Sequence, residues 1–173
     1  MLYRNPWFCS CAIGAALAFL AFAPSAVAQE VTYTWTCQDV GANPPEPLGD
    51  KDGHSISVAA VSCHSKSESM SGALLTGTYI WEWNGPNAVL LSATGVIRKP
   101  GATMVYQETG GSIALTMTDG KVTGFTASGK GYEKLATGSL AALAGTPYTW
   151  TVKPAGPGQS TVEVKNTMTA VSK

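Results

Sequence analysis

Apolar and polar residues alternate along most of this chain with a period of two. Thr32-Tyr33-Thr34-Trp35-Thr36-Cys37 interleaves threonine with aromatic and sulfur side chains, and Tyr148-Thr149-Trp150-Thr151-Val152 repeats the pattern near the other end. Successive side chains of a strand point to opposite faces, so each segment reads as a strand with one buried and one wet face. Pro147 precedes the second segment, where a missing backbone N–H does least harm. From residue 29 onward, no stretch sustains a long 3.6-residue period. The best helix candidate is Gly138 to Ala144, about two turns.

Turn residues assign pairings between the strands. Lys99-Pro100-Gly101-Ala102 is a type II turn signature, with Pro setting φ at the second position and Gly accepting φ > 0 at the third. It pairs Ile97 with Met104, Gly95 with Tyr106, and Ala93 with Glu108. Gly110-Gly111 reads as a two-residue hairpin that pairs Glu108 with Ile113 and Tyr106 with Leu115. Asp119-Gly120 reads as another, pairing Met117 with Val122 and Leu115 with Gly124. The three registers agree on one core face, which carries Leu91, Ala93, Ile97, Met104, Tyr106, Ile113, Leu115, Met117 and Val122. Thr78 to Trp83 is a further strand, turned around by Asn84-Gly85-Pro86-Asn87. One phase buries Tyr79, Trp81 and Trp83, the other a lone Glu82 carboxylate, so the rings are expected inside.

These segments predict eight to ten strands: roughly 31–37, 55–63, 73–84, 88–98, 102–109, 112–118, 121–128, 134–143, 147–153 and 159–166. An antiparallel meander of this length has to hide its edges. The expected fold is all-β, an antiparallel up-and-down barrel, with a two-sheet sandwich as the alternative.

The first 28 residues differ in character. Arg4, an apolar run from Ala12 to Ala23 and the small residues Ala26-Val27-Ala28 form a signal-peptide pattern. The run is too short for a stable bilayer crossing. Cleavage after Ala28 is expected to leave residues 29–173 as a single domain, exported to a periplasmic or extracellular space without a stable membrane anchor. Lys plus Arg and Asp plus Glu number 11 each, and charged residues make up 13 % of the chain. A balance this neutral argues against a nucleic-acid partner, which would need a basic surface. Cys9 and Cys11 fall in the leader, leaving Cys37 and Cys63 as an even pair in an oxidising compartment, where a disulfide is expected. A reactive or metal-bound Cys63 fits poorly with a partner thiol at hand.

The chemistry-bearing residues are few. No nucleophile elbow, zinc-protease motif, P-loop or dinucleotide fingerprint is present. His54, Cys63 and His64 lack a further metal ligand and the disulfide would consume Cys63, so no metal and no cofactor are expected. Glu82, framed by Trp81 and Trp83, could hold a cation or act as an acid, although an outward strand residue is the plainer reading. Glu108 falls on the core face beside Gly110-Gly111, which places it at the barrel mouth, with Tyr106 two residues deeper. Tyr106, Glu108, Glu82, Trp81 and Trp83 are therefore the ligand-binding candidates; no catalytic residue is assigned.

Gly53-His54 after a Pro/Gly loop, Cys63 at the end of the next strand, and a meander carrying Gly95, Gly110, Gly111 and Gly124 resemble small exported bacterial barrels of the allene oxide cyclase or calycin-like type over residues 50–135. Plant members of that superfamily cyclise an epoxide in a hydrophobic barrel cavity. The resemblance implies a barrel and a cavity; none of the plant catalytic residues has a matching position here. Three functions follow as expectations: an exported barrel binding a small apolar or amphipathic ligand, an isomerase or cyclase using Glu82 or Glu108, and a structural or surface-interaction protein with a filled core.

Overall fold

The structure is a computed structural model that describes residues 29–41 and 44–168; the signal-peptide expectation for residues 1–28 lies outside them. The strands are β1 (Gln29–Val40), β2 (Glu46–Pro47), β3 (His54–Ser65), β4 (Leu74–Asn84), β5 (Asn87–Lys99), β6 (Ala102–Thr118), β7 (Lys121–Ala136), β8 (Pro147–Gly156) and β9 (Gln159–Met168). Each longer strand pairs antiparallel with the next, and β1 pairs with both β9 and β3, which closes an eight-stranded barrel. The two-residue β2 is an extra edge on β3. Closure leaves no long unpaired edge, as the meander's length requires.

The closing seam is stapled. Cys37 and Cys63 face each other in the β1–β3 register and form the expected disulfide. The two cysteines lie 26 positions apart in the chain, and the crosslink contributes about 3 kcal/mol in the chain-entropy account.

One end of the barrel is plugged. Two short 3-10 helices, Glu68–Met70 and Gly138–Leu143, bury Met70, Leu140 and Leu143. The second takes the place of the expected helix, and the expected strand over 134–143 reduces to the end of β7. Ala102 and Met104 are buried at the same end. The opposite end carries the β1–β3 loop and the turns at Gly85-Pro86, Asp119-Gly120 and Pro157-Gly158.

The hairpins at Gly101 and Asp119-Gly120 form as expected, including the Ile97–Met104, Gly95–Tyr106 and Ala93–Glu108 pairs. The Gly110-Gly111 hairpin does not form: β6 runs unbroken through both glycines. The reason is inside the barrel. A Cβ on Gly111 would meet the Trp150 ring at 2.7 Å, and one on Gly129, its partner in β7, would collide with the same ring. Gly77 and Gly95 make the equivalent clearing for Tyr106. These glycines let rings lie against the inner wall, a close-approach role distinct from turning.

Two bulges correct the expected face further. Ile80 pairs with Ser92 but Trp81 pairs with Leu90, so Leu91 is the extra residue. Leu90 therefore packs against the core, and Leu91 is 52 % exposed. A shift between Thr116 and Met117 pairs Leu115 with Phe125 instead of Gly124. Met117 and Val122, beside the open-end turn, are exposed.

Candidate functional site

The barrel is hollow. Its interior holds a cavity of about 470 Å³, within the range of small-molecule sites. A filled core, which the structural-protein expectation requires, is not what the strands enclose. Tyr33, Trp35, Tyr79, Trp81, Trp83, Tyr106, Phe125, Tyr148 and Trp150 supply an aromatic wall, while Asp39, Pro45, Pro154 and Gln159 line the cavity at the open end. The aromatic phase of β4 is as expected: Trp81 and Trp83 line the cavity, and Trp83 donates its indole N–H to Ser57 Oγ at 2.8 Å. Tyr33 and Trp35 meet edge to face at 5.8 Å.

Polar groups gather toward the plugged end. Asn166 Nδ2 donates to Tyr33 Oη at 2.7 Å, and the Tyr33 hydroxyl donates to Glu133 Oε1 at 2.6 Å. Glu133 is only 1 % exposed. Its second oxygen, Oε2, is buried without a partner, as are the Tyr148 hydroxyl and the Trp35 indole N–H. A buried polar atom left unpaired carries a desolvation cost of about 1–3 kcal/mol, so these three residues of the cavity lining each carry an unmet hydrogen bond.

Glu108 accepts a hydrogen bond from the Trp150 indole N–H. The Tyr148 hydroxyl faces the same carboxylate without closing a bond of good geometry. Glu108 lies mid-strand in β6, far from any turn, so its expected place at the mouth is corrected. That expectation depended on a turn at Gly110-Gly111; with β6 continuous, Tyr106 and Glu108 belong to the barrel's depth. Burial pushes the Glu108 carboxyl up to about 8, with the Glu133 charge adding to the rise and the Trp150 bond opposing it. Burial likewise pushes Glu133 up to about 7, against the Tyr33 hydrogen bond and the nearby Asn166 amide, which favour its ionised form. The same loss of water holds the Tyr33, Tyr106 and Tyr148 hydroxyls well above the ordinary phenol range. All three stay neutral at any physiological pH.

Glu82 is elsewhere. It does not line the cavity, and its Oε1 sits 2.9 Å from His54 Nε2. Period-two alternation dictates this: with Trp81 and Trp83 inside, Glu82 must face out. On the other side of the ring, His54 Nδ1 lies 2.6 and 2.7 Å from the Asp50 carboxylate oxygens. Hydrogen bonding to Glu82 and then to Asp50 raises the His54 pKa, and the His54 bond lowers that of Asp50. His64 is exposed and Cys63 is in the disulfide. Among the described residues, no group of His, Cys, Asp and Glu is placed to hold a metal ion.

Sequence reasoning missed Glu133. The signal was there: Ala127, Gly129, Gly131 and Glu133 continue the inward alternation of β7 past its expected end. Gly129 and Gly131 clear space for Trp150 and Tyr148 of the neighbouring strand, which places Glu133 next on the inner face. Among the described residues, no helix is long and apolar enough to cross a membrane. No protein-family model matches the chain, and neither does any curated protein.

Proposed function

We propose that this protein is an exported barrel that binds one small amphipathic molecule inside its cavity. The observation that carries the reading is a hollow, aromatic-walled interior whose deep end holds unpaired hydrogen-bonding atoms on Glu133, Tyr148 and Trp35. A ligand with an apolar body and a polar head would bury ring-lined surface and bring its head to the polar end of the lining, which rewards both ends at once. The leader pattern of residues 1–28 and the Cys37–Cys63 disulfide support export.

Titration with the neutral fluorophore N-phenyl-1-naphthylamine tests this. Saturable one-to-one binding is expected, with energy transfer from the cavity tryptophans. Leu115→Trp, which adds bulk to a residue lining the cavity, is expected to weaken it. Absence of saturable binding, or binding indifferent to Leu115→Trp, would refute interior binding.

A second reading is favoured by one feature. The Glu108 and Glu133 carboxyls line the cavity and hold their protons near neutral pH, as a general acid requires. This supports an isomerase or cyclase of the kind the allene oxide cyclase-like resemblance implies, with Glu108, of the two candidates Glu82 and Glu108, as the acid that lines the cavity. Turnover of an epoxide substrate that is lost in Glu108→Gln would establish it; an unchanged rate would exclude it.

A further inference from the structure

We propose that the ligand carries a protonated amine, and that this ammonium group seats between Glu133 and Glu108 at the deep end of the cavity. The inference rests on the interior-binding reading and names the chemical class of the ligand's head.

Four observations converge. First, two carboxylates share one cavity. Glu133 pairs with Tyr106 and Glu108 with Gly131 in the β6–β7 register, so the two acids are diagonal neighbours on the inner face, a relation that sets such residues roughly 7–8 Å apart. Second, no cation answers them: among the described residues, no Lys, Arg or His lines the cavity. Third, Glu133 Oε2 has no donor although the residue is 99 % buried. The donors already present reach only Glu133 Oε1 and Glu108 Oε2. Fourth, the surrounding wall is aromatic, and an aromatic ring attracts a cation placed over its face within about 6 Å of the centroid. An ammonium group offers three donors and a positive charge; the lining supplies no positive charge, and none of its donors reaches Glu133 Oε2.

The alternative head is a carbonyl or carboxylate accepting a hydrogen bond from a protonated glutamic acid. The two make opposite predictions with pH. The groups facing the acids are Tyr33 on β1, Tyr106 on β6, Tyr148 and Trp150 on β8, and Asn166 on β9, none of which changes charge near neutrality. Asp39, the remaining acid on the wall, accepts the Tyr79 hydroxyl at the open end. Within the cavity, titration between pH 6 and 9 therefore belongs to Glu108 and Glu133. An alkylammonium ion, with a pKa of about 10, needs them ionised. Its binding releases protons and strengthens as pH rises through about 7 to 8. An accepting head binds more weakly over the same range.

The experiment compares phenylbutylamine, phenylbutanol and phenylbutyrate by isothermal titration calorimetry on the wild-type protein across that range. The amine is expected to bind about tenfold or more tightly than the alcohol at the alkaline end, a difference of about 1.4 kcal/mol, with the gap closing toward the acidic end. Glu133→Gln is expected to collapse the amine-to-alcohol ratio, a quantity taken within one variant and so insensitive to overall stability. If that variant does not fold, the wild-type pH series decides alone. Equal binding of amine and alcohol, tighter binding of the carboxylate, or amine affinity that falls with rising pH would overturn the ammonium head while leaving interior binding intact. Failure of all three probes would overturn interior binding itself.

Discussion

Glu108 and Glu82 are both glutamates in mid-barrel strands, and they live in opposite chemistry. Glu108 points inward, loses its water, and holds its proton to about pH 8. Glu82 points outward and meets His54 across 2.9 Å on the outer face of the barrel. One step of strand phase decides which outcome a carboxylate meets. The inner pair, Glu108 with Glu133, is a stability cost retained in the interior. The outer set, Asp50, His54 and Glu82, is a fastener between the β1–β3 loop and β4.

The largest expected effect comes from the inner acids. Each has a folded pKa above its ordinary value, so the folded state holds protons that the unfolded chain gives up from pH about 4.5 upward. Stability should therefore fall as pH rises from about 5 to 8. The loss is on the order of 5 kcal/mol for Glu108 and 3 kcal/mol for Glu133 if each kept its full shift. Urea denaturation at either end of that range measures it. The doubly substituted Glu108→Gln, Glu133→Gln protein should lose far less across the same interval. A wild-type protein equally stable at both ends would mean that the carboxylates are in contact with water.

The inside–outside contrast sharpens at two adjacent glycines. Gly111 faces in, where a methyl group would press on the Trp150 ring at 2.7 Å; a Cβ on Gly110 would meet nothing within 4 Å. Gly111→Ala should cost about 1–3 kcal/mol, the usual range for overpacking. Gly110→Ala should stay within about 0.5 kcal/mol of wild type, as surface changes do. Thermal unfolding of the two variants side by side decides it, and equal losses would place both glycines in the same environment.

Those glycines also show where the chain was legible from its residues and where it was not. The Pro100-Gly101 and Asp119-Gly120 turns have local causes, a fixed φ and a tolerated positive φ, and both formed where expected. Gly110-Gly111 has the same local composition but a non-local cause: the indole of Trp150, 39 positions away in the chain from Gly111, needs the space. A turn placed there set Glu108 at the mouth and cut β6 in two. The bulge at Leu91 escaped notice for a related reason, since a single extra residue changes no composition and only shifts phase. Trp81 and Trp83 were placed inside correctly because the competing phase would have buried a charge. The alternation of β7 carries Glu133 to the inner face, but its partners Tyr33 and Asn166 come from strands at both ends of the chain, which no local pattern connects to it.

The smallest expected effect belongs to the outer fastener. Its pH window follows from opposite shifts. The His54 contribution is present below its unfolded pKa of about 6.5 and is lost as pH rises through its raised folded value. The Asp50 contribution is present above its ordinary value and lost as pH falls through its lowered one. The contact is strongest between those limits, and its exposure to solvent keeps it weak. His54→Ala should leave global unfolding almost unchanged. It should instead speed amide exchange at Leu48, whose N–H bonds to His54 O, and at Gly85, whose N–H bonds to Gly53 O. Phenylbutanol affinity should not move, because the fastener contributes no atom to the cavity's deep end. Loss of affinity as large as that of an inner-wall variant would show that the loop at the open end governs the interior, and that the two sets of carboxylates act as one system.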